Sequence, residues 1–379
     1  MPDWRVVNDL ATISPEKWQA LEFHNNPFLS YPFLSGLEKF NCLANQNWES
    51  SHVVIEDKDE LLGVLPLYIK RDSYGEFVFD WSWAEAYQQA GRNYYPKLVS
   101  AIPFTPVAGT RLLINKAHAS DVINKTLLEA ALTLMEENHY SSTHFLFPDE
   151  DNIKILMNNG GLKRLTCQFH WFNENYRDFQ DFTDSLTSKK RKQILKERRD
   201  VKKSGIEIER LNGNDISSAQ WKMFYQFYCR TFYSKWGEPR LTLDFFEALG
   251  KALPEQTLLI LAKMNKQYIA GAFAMSDTNT LYGRHWGCSV YIPCLHFELC
   301  YYQTIEHAIE KQLKRLDAGV QGEHKLARGF RPVAMPSAHW IREDDFRNAI
   351  TNYLEKETSM MQNHISMLET HLPFKSELL

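Results

Sequence analysis

Nowhere in these 379 residues does an apolar run approach the ~20 needed to cross a bilayer. The N-terminus, MPDWRVVNDLATISPEKW, also lacks the positive start and apolar core of a secretory signal. Both absences predict a soluble, cytoplasmic protein without a transmembrane segment, and leave peripheral membrane contact open. Cysteine is scarce: six residues, Cys42, Cys167, Cys229, Cys288, Cys294 and Cys300, with no C-x-x-C pair. That spacing excludes a zinc ribbon or thioredoxin motif, and predicts free thiols in a reducing compartment. A strong charge of either sign is missing too. At −4 and a pI near 6.4, the chain is not built for bulk nucleic-acid binding, and no DNA partner is expected.

What is present suffices for two cores. The chain is 44% hydrophobic, and one domain of this length would be unusually large. The segment richest in chemistry is Asp317–Pro332, DAGVQGEHKLARGFRP. It places two acids, an imidazole and three cations around three glycines, directly after an apolar helix. Glu323 and His324 are candidate proton acceptors, and in an extended segment they point to opposite sides, so one of them faces a substrate. Lys325, Arg328 and Arg331 suit a phosphate or carboxylate.

Two segments share one order. His52–Lys70 and Thr257–Asp277 both read as hairpins with a glycine, Gly63 or Gly271, inside the second strand. A further strand is expected after each, Glu76–Asp80 and Thr280–Trp286. An amphipathic helix follows, marked by Val122, Leu127, Leu128, Ala131, Leu132 and Met135 in the first half. In the second half the stripe is Leu295, Leu299, Tyr302, Ile305, Ile309 and Leu313. Closing strands at Thr143–Phe147 and Arg315–Val320 complete each unit. This is the core order of an N-acyltransferase fold, repeated in an α/β chain.

Between the halves the pattern changes. Ser185–Gly205 carries nine Lys/Arg between 189 and 203 against only Glu197 and Asp200. The default reading is a solvated helix with one side on the body; the sharper one is an anion-binding arm that contacts RNA through Lys189, Lys190, Arg191 and Lys192. We therefore expect a first domain at 1–184, a basic helical connection at 185–205 and a second domain at 206–379. The positions Phe346, Ile350, Leu354, Met361, Ile365 and Leu368 predict a C-terminal helix, with a break near Ser359.

Ser73–Leu113 (SYGEFVFDWSWAEAYQQAGRNYYPKLVSAIPFTPVAGTRLL) and Gly283–Phe330 (GRHWGCSVYIPCLHFELCYYQTIEHAIEKQLKRLDAGVQGEHKLARGF) are two long blocks that resemble FemAB-like proteins. Asn26–Glu38, NPFLSYPFLSGLE, and the SKKRKQILKERR helix fit as well. That family is labelled as acting in peptidoglycan biosynthesis or recognition, within the acyl-CoA N-acyltransferase superfamily. The resemblance implies an α/β (α+β) fold of two tandem GNAT-like domains with mixed sheets. It also implies transfer of an aminoacyl or acyl group to an amine acceptor, peptidoglycan-related or small, from aminoacyl-tRNA or acyl-CoA, with no permanently bound cofactor. One departure is visible. The R/Q-x-x-G-x-G/A loop that cradles the pyrophosphate of coenzyme A is replaced by GCSVYIPCLHFE, Gly287–Glu298, with one glycine.

Acyl transfer to an amine needs a base, oxyanion stabilisation and orientation of both partners. Glu298 and Tyr302 share a helix face beside Tyr301, and join Glu323 and His324 as catalytic candidates. His285 and Trp286, near a strand end, join Lys325, Arg328 and Arg331 on the donor side. In the first half Glu76, Asp80, Trp81, Trp83, Glu85 and Tyr87 form an acidic, aromatic cluster suited to a cationic amine, and the resemblance puts the acceptor there. The expected site lies between this cluster and the QGEHKLARGF loop. His296-Phe297-Glu298 has the H-x-E of zinc deaminases without a downstream P-C-x-x-C, so no metal is expected. Two other readings compete: a coenzyme A-dependent N-acetyltransferase, and a non-catalytic ligand-recognition protein on the same fold.

Overall fold

The computed structural model describes residues 2–235, 237–320 and 322–375, and of Glu323 the backbone alone. The chain divides into two compact units. One comprises Met1–Thr166 with Ala334–Asn363, and the other Cys167–Val333 with His364–Leu379. The division falls at 166/167 rather than near 184, and a C-terminal stretch returns to the first unit. The reason lies in two long strands that each pass the division along the chain, β9 (Leu162–Phe172) and β15 (Arg331–Ile341).

The first unit carries β1 (Trp4–Val7), β2 (Trp48–Ser50), β3 (His52–Asp57), β4 (Glu60–Leu65), β5 (Tyr68–Lys70), β6 (Lys97–Ser100), β7 (Leu113–Ile114) and β8 (Ser142–Leu146). The expected hairpin is β3–β4, with Val53 opposite Leu65 and Val54 opposite Val64. It lies in a sheet of order β1-β3-β4-β7, and β2-β5-β6-β8 run side by side with the returning half of β15. Glu76–Asp80 is not a strand. It is a loop with Gly75 and Phe77 at positive φ, before helix α1 (Trp81–Gln89). The helix expected at 122–135 is α2 (Asp121–Glu137), N-capped by Ser120. Leu127, Leu128, Ala131 and Met135 are buried as predicted, but Val122 is exposed and Ile123 takes the inward place.

The second unit keeps the expected order within one sheet. Its strands are β10 (Ile206–Asn212), β11 (Thr257–Met264), β12 (Gln267–Ser276), β13 (Thr280–Cys288) and β14 (Arg315–Asp317), followed by the end of β9, in the order β10-β11-β12-β13-β14-β9. The closing strand is shorter than the predicted Arg315–Val320. In both hairpins the predicted glycine lets a helix approach closely. A Cβ on Gly63 would stand 2.9 Å from Ile123, and one on Gly271 3.0 Å from Phe224. The basic segment forms α3 (Ser188–Lys203), and α4 (Ser218–Tyr233) and α5 (Leu243–Ala252) follow.

After β13 comes a helix in three pieces: Leu295–Phe297, a π-helical turn Glu298–Tyr302, and α6 (Gln303–Glu310). Leu295, Leu299, Tyr302, Ile305 and Ile309 all point into one core with Leu281 and Leu316. The C-terminal helix α7 (Asp344–Glu369) runs without the break expected near Ser359.

The return of 334–363 to the first unit gives a direct test. Trp340 packs edge-on against Phe145 at 5.5 Å and lies 2.8 Å from where a Gly161 Cβ would be. Trp340→Ala should destabilise the unit built from residues 2–166 by about 3–5 kcal/mol. Denaturant unfolding, with hydrogen exchange at Ser142–Leu146 as the local readout, measures it. Protection lost only among residues 206–333 would contradict the division.

Candidate functional site

The Asp317–Pro332 loop is more structured than an extended segment. Residues Glu323–Arg328 form a 3-10 turn, entered through Gly322 and closed by Gly329, both at positive φ. Strands β13 and β14 pair in parallel over only three positions, the last being Tyr282 with Asp317. Beyond that pair β13 continues to Cys288 beside β12, whereas the chain after β14 turns into this loop.

Several side chains gather at this turn. His324 is exposed on one side and makes a 2.9 Å hydrogen bond from Nε2 to Tyr301 Oη. Phe297 and Tyr301 stand 5.5 and 5.8 Å from its ring. Partial burial, then the charges of Arg328 and Lys325, pull His324 below the usual imidazole range, so it is neutral at pH 7. His296, edge-on to Trp286 at 5.3 Å, is brought down to about 4 by burial and then by His324 and the same cations.

Lys325 is the unusual member. Its ammonium is buried and donates to the carbonyls of Ala318 (2.5 Å) and Gly319 (3.1 Å). No carboxylate pairs with it among the described residues. Burial pushes it down to about 8. An ammonium has three protons, and two are used here.

The remaining candidates brace this frame. Arg328 is fully committed: Nε donates to Tyr302 Oη at 3.0 Å, Nη1 to the His324 carbonyl at 2.8 Å, and Nη2 to Glu197 at 2.9 Å. Its plane also lies 3.5 Å from the Phe297 ring centroid. Tyr302 is fully buried and donates to Glu197, while burial, against the pull of Arg328, holds its phenol well above the usual range. Glu298 accepts from Arg198 at 3.0 Å and from Gln303 at 2.8 Å. Arg331 pairs with Glu174 at 3.1 Å. Trp286 joins the core beside His296, but His285 points to the other face of β13, against Tyr228 at 4.9 Å and Phe273. Alternation along the strand separates the two. The side chain of Glu323 lies outside the described residues.

The acidic, aromatic cluster belongs to the first unit, and its two inner acids are already occupied. Lys97, fully buried, donates to Glu76 at 2.8 Å, to Asp80 at 2.5 Å and to Ser73 at 3.0 Å. Tyr94 also donates to Asp80, at 2.5 Å. Burial raises Glu76 to about 8 against the pull of Lys97. For Asp80 the order reverses: burial opposes ionisation, yet Lys97 and His144 hold it well below the usual range. A lysine of the chain thus occupies the place a substrate amine was expected to fill. Trp83 is buried under Arg164, with the guanidinium 5.2 Å from its ring, and Tyr87 is buried and stacked on Phe346 at 3.7 Å. Only Trp81 and Glu85 remain on the surface.

Reading the sequence missed Lys97, Glu197, Arg198, His144 and His339. Lys97 opens a strand buried at every position, KLVS, which is an odd place for a lone cation. Glu197 is one of two acids among nine cations, and that singularity was its signal. His144 and His339, joined at 2.6 Å through their Nδ1 atoms, come from segments 195 residues apart and carried none. Among the described residues no group of three His, Cys, Asp or Glu side chains is arranged to hold a metal, and no helix is long and apolar enough to cross a membrane.

A family model described as peptidoglycan biosynthesis/recognition, FemAB-like, matches residues 9–376. No curated protein matches the chain. Among solved structures, FemX superposes with a TM-score of 0.51 at 12% identity, covering 85% of this chain and 94% of its own. A conserved protein of unknown function from Bacteroides thetaiotaomicron VPI-5482 gives 0.50 at 10% identity, covering 89% and 99%. A tandem GNAT protein from the clavulanic acid biosynthesis pathway gives 0.45 at 8% identity, covering 90% and 98%. At these identities the likeness is one of fold.

The ion cluster of the first unit makes a prediction. Lys97→Met leaves the Asp80 carboxylate buried without a counter-charge and should cost about 3–5 kcal/mol. Glu76→Gln, which removes an acid that burial already keeps protonated at neutral pH, should cost less than half as much. Equal losses in urea unfolding at pH 7 would show that the cluster is not ordered around Asp80.

Proposed function

Because this chain belongs to the FemAB-like family of peptidoglycan biosynthesis and recognition proteins, and has its tandem acyltransferase fold, we propose that it is an N-acyltransferase working at the His324–Lys325 turn. The observation that carries this reading is a neutral, half-exposed imidazole beside a buried ammonium with no carboxylate partner among the described residues, where β13 and β14 part.

Each group has a role. With Nε2–H donating to Tyr301, the Nδ1 lone pair of His324 takes the proton of the attacking amine. The amine nitrogen bonds to the carbonyl carbon of an aminoacyl or acyl ester, the carbon–oxygen bond breaks, and the proton taken by His324 passes to the leaving oxygen. Lys325 supplies positive charge for the oxyanion, in a place where low dielectric strengthens it. Arg328, Tyr302, Glu298 and the α3 pair Glu197–Arg198 are positioning residues. The Gly287–Glu298 connection, with one glycine in its loop and Cys294 at the helix start, favours aminoacyl-tRNA over coenzyme A as donor.

Helix α3 supports the same donor. Lys189, Lys192, Lys196, Arg199 and Lys203 are exposed and recur every three or four residues, a single stripe about 21 Å long. None of the five makes an ion pair among the described residues. Of the cations first considered for RNA, Arg191 pairs with Asp184 at 2.8 Å and Lys190 is half-buried, so the contact runs along the stripe.

Two experiments test the reading. Transfer from charged tRNA to a peptidoglycan-precursor amine, with acetyl-CoA as the competing donor, should fall by about 10²-fold or more in His324→Ala. Because a base must be unprotonated, kcat/KM should fall as pH drops through a value below 6.5, and that limb should vanish in the variant. Activity unchanged in His324→Ala removes the proposed base. Separately, Lys192→Ala/Lys196→Ala/Arg199→Ala should reduce the salt slope of tRNA binding by about 2. An unchanged slope makes the stripe ordinary solvated surface.

A further inference from the structure

The first unit holds a feature that the transfer chemistry does not use. Tyr74, Phe79 and Trp81 are all exposed, at 63%, 44% and 49%, on one short loop. Phe79 stacks on Trp81 with centroids 4.6 Å apart and planes at 25°, and Tyr74 stands 6.0 Å from the same indole. Three contiguous exposed rings are an uncommon surface for a soluble protein.

The loop beneath them is held at nearly every residue. Ser73, Glu76 and Asp80 point inward to Lys97. Lys70 bonds the Tyr74 carbonyl at 3.1 Å, and Arg164 bonds the Phe79 carbonyl at 2.8 Å. Phe77, a bulky residue, sits at φ +64°, a conformation that persists only where surroundings impose it. The rings therefore project from a fixed backbone, which lowers the entropy lost when something binds.

Helix α1 extends this surface. Trp81, Glu85, Gln88 and Gln89 are exposed at helical spacing on one face, so carboxylate and amide groups flank the indole. Among the described residues the only hydrogen bond within that group is Gln89 to Glu85, at 3.3 Å. Helix α1 itself, WSWAEAYQQ, carries no Lys or Arg, which argues against an anionic membrane or a nucleic acid, both of which require cations. The rings are also too few for a stable protein partner. Half-exposed, they offer about 300 Å², against roughly 800 Å² per side of a standard interface.

We propose that Tyr74, Phe79 and Trp81, with Glu85, Gln88 and Gln89, form a carbohydrate-binding platform for a β-1,4-linked pyranose chain. The apolar face of a sugar ring lies on the Phe79–Trp81 stack, Tyr74 closes one edge, and the carboxylate and amides of α1 bond its hydroxyls. The platform makes no use of the second unit's chemistry, so its test and the transfer test fail separately.

Isothermal titration of the full chain with chitotetraose and with cellotetraose reads it out. At least one should bind saturably. Trp81→Ala should weaken that binding about tenfold, because it removes the largest ring of the stack. Trp81→Tyr should restore most of it, and both variants should keep the parent melting temperature, since the ring is outside the core. Absence of saturable binding to either sugar overturns the proposal, as does full affinity in Trp81→Ala. Trp81-dependent sedimentation with phosphatidylglycerol vesicles, with no sugar binding, overturns it in favour of a membrane surface.

Discussion

A guanidinium taken out of water needs acceptors to meet it, an anion best of all, and the second unit is arranged around the one that meets Arg328. Arg328 is buried, and it meets Glu197 from α3 and the Tyr302 phenol from the π-helical turn. A helix of nine cations therefore turns one of its two acids inward, and this ties it to the His324–Lys325 turn. A second tie, Arg198 to Glu298 and Glu306, stands one residue on, about 1.5 Å along the helix axis. Buried ion pairs contribute little net stability, so their effect here is positional. The π turn has the same consequence: it directs Tyr302 to Glu197 while its neighbour Tyr301 meets His324.

Three buried cations show how the same physics gives different outcomes. Lys97 is surrounded by Asp80 and Glu76, whose attraction outweighs burial and holds it above the usual lysine range, so it stays charged and inert. Arg328 has its acid and braces a loop. Among the described residues Lys325 donates to carbonyl dipoles alone, and burial pushes it down to about 8. Dipoles can solvate an ammonium but return less than a full negative charge. Such a group keeps a stake in any negative charge that arrives, which separates a site from a brace.

Periodicity made the fold legible where one face of an element is buried. Both hairpins, both central helices and the C-terminal helix announced themselves through spacings of 2 or 3.6 residues. Glu76–Asp80 misled because its alternation belongs to a loop whose inward residues, 73, 76 and 80, are set by Lys97 rather than by a sheet. The division between units was hidden for another reason: β9 and β15 are uninterrupted strands, and composition does not change at 166 or 333. The basic run drew the eye to 185–205 because charge is easy to see, yet packing fixes where a chain divides. Among the proposed site residues, His324 and Lys325 were legible as a dense motif beside glycine. Their partners were not, because Glu197 and Tyr301 reach the turn only through tertiary packing.

The cations around His324 first look unsuited to a base, since they lower its proton affinity. Their effect follows from what an acyl transfer must avoid. An imidazole beside a carboxylate would be protonated over more of the physiological range, and its protonated fraction could not take a proton. One beside Arg328 and Lys325 stays neutral, at the price of being a weaker base. That weakness matters little if the amine loses its proton only as the carbon–nitrogen bond forms, when its acidity rises steeply. The charges that weaken the base also favour the oxyanion, so one arrangement serves both halves of the step. A carboxylate base placed in that field would instead be stabilised as its anion and made poorer still, which favours His324 as the residue that takes the proton.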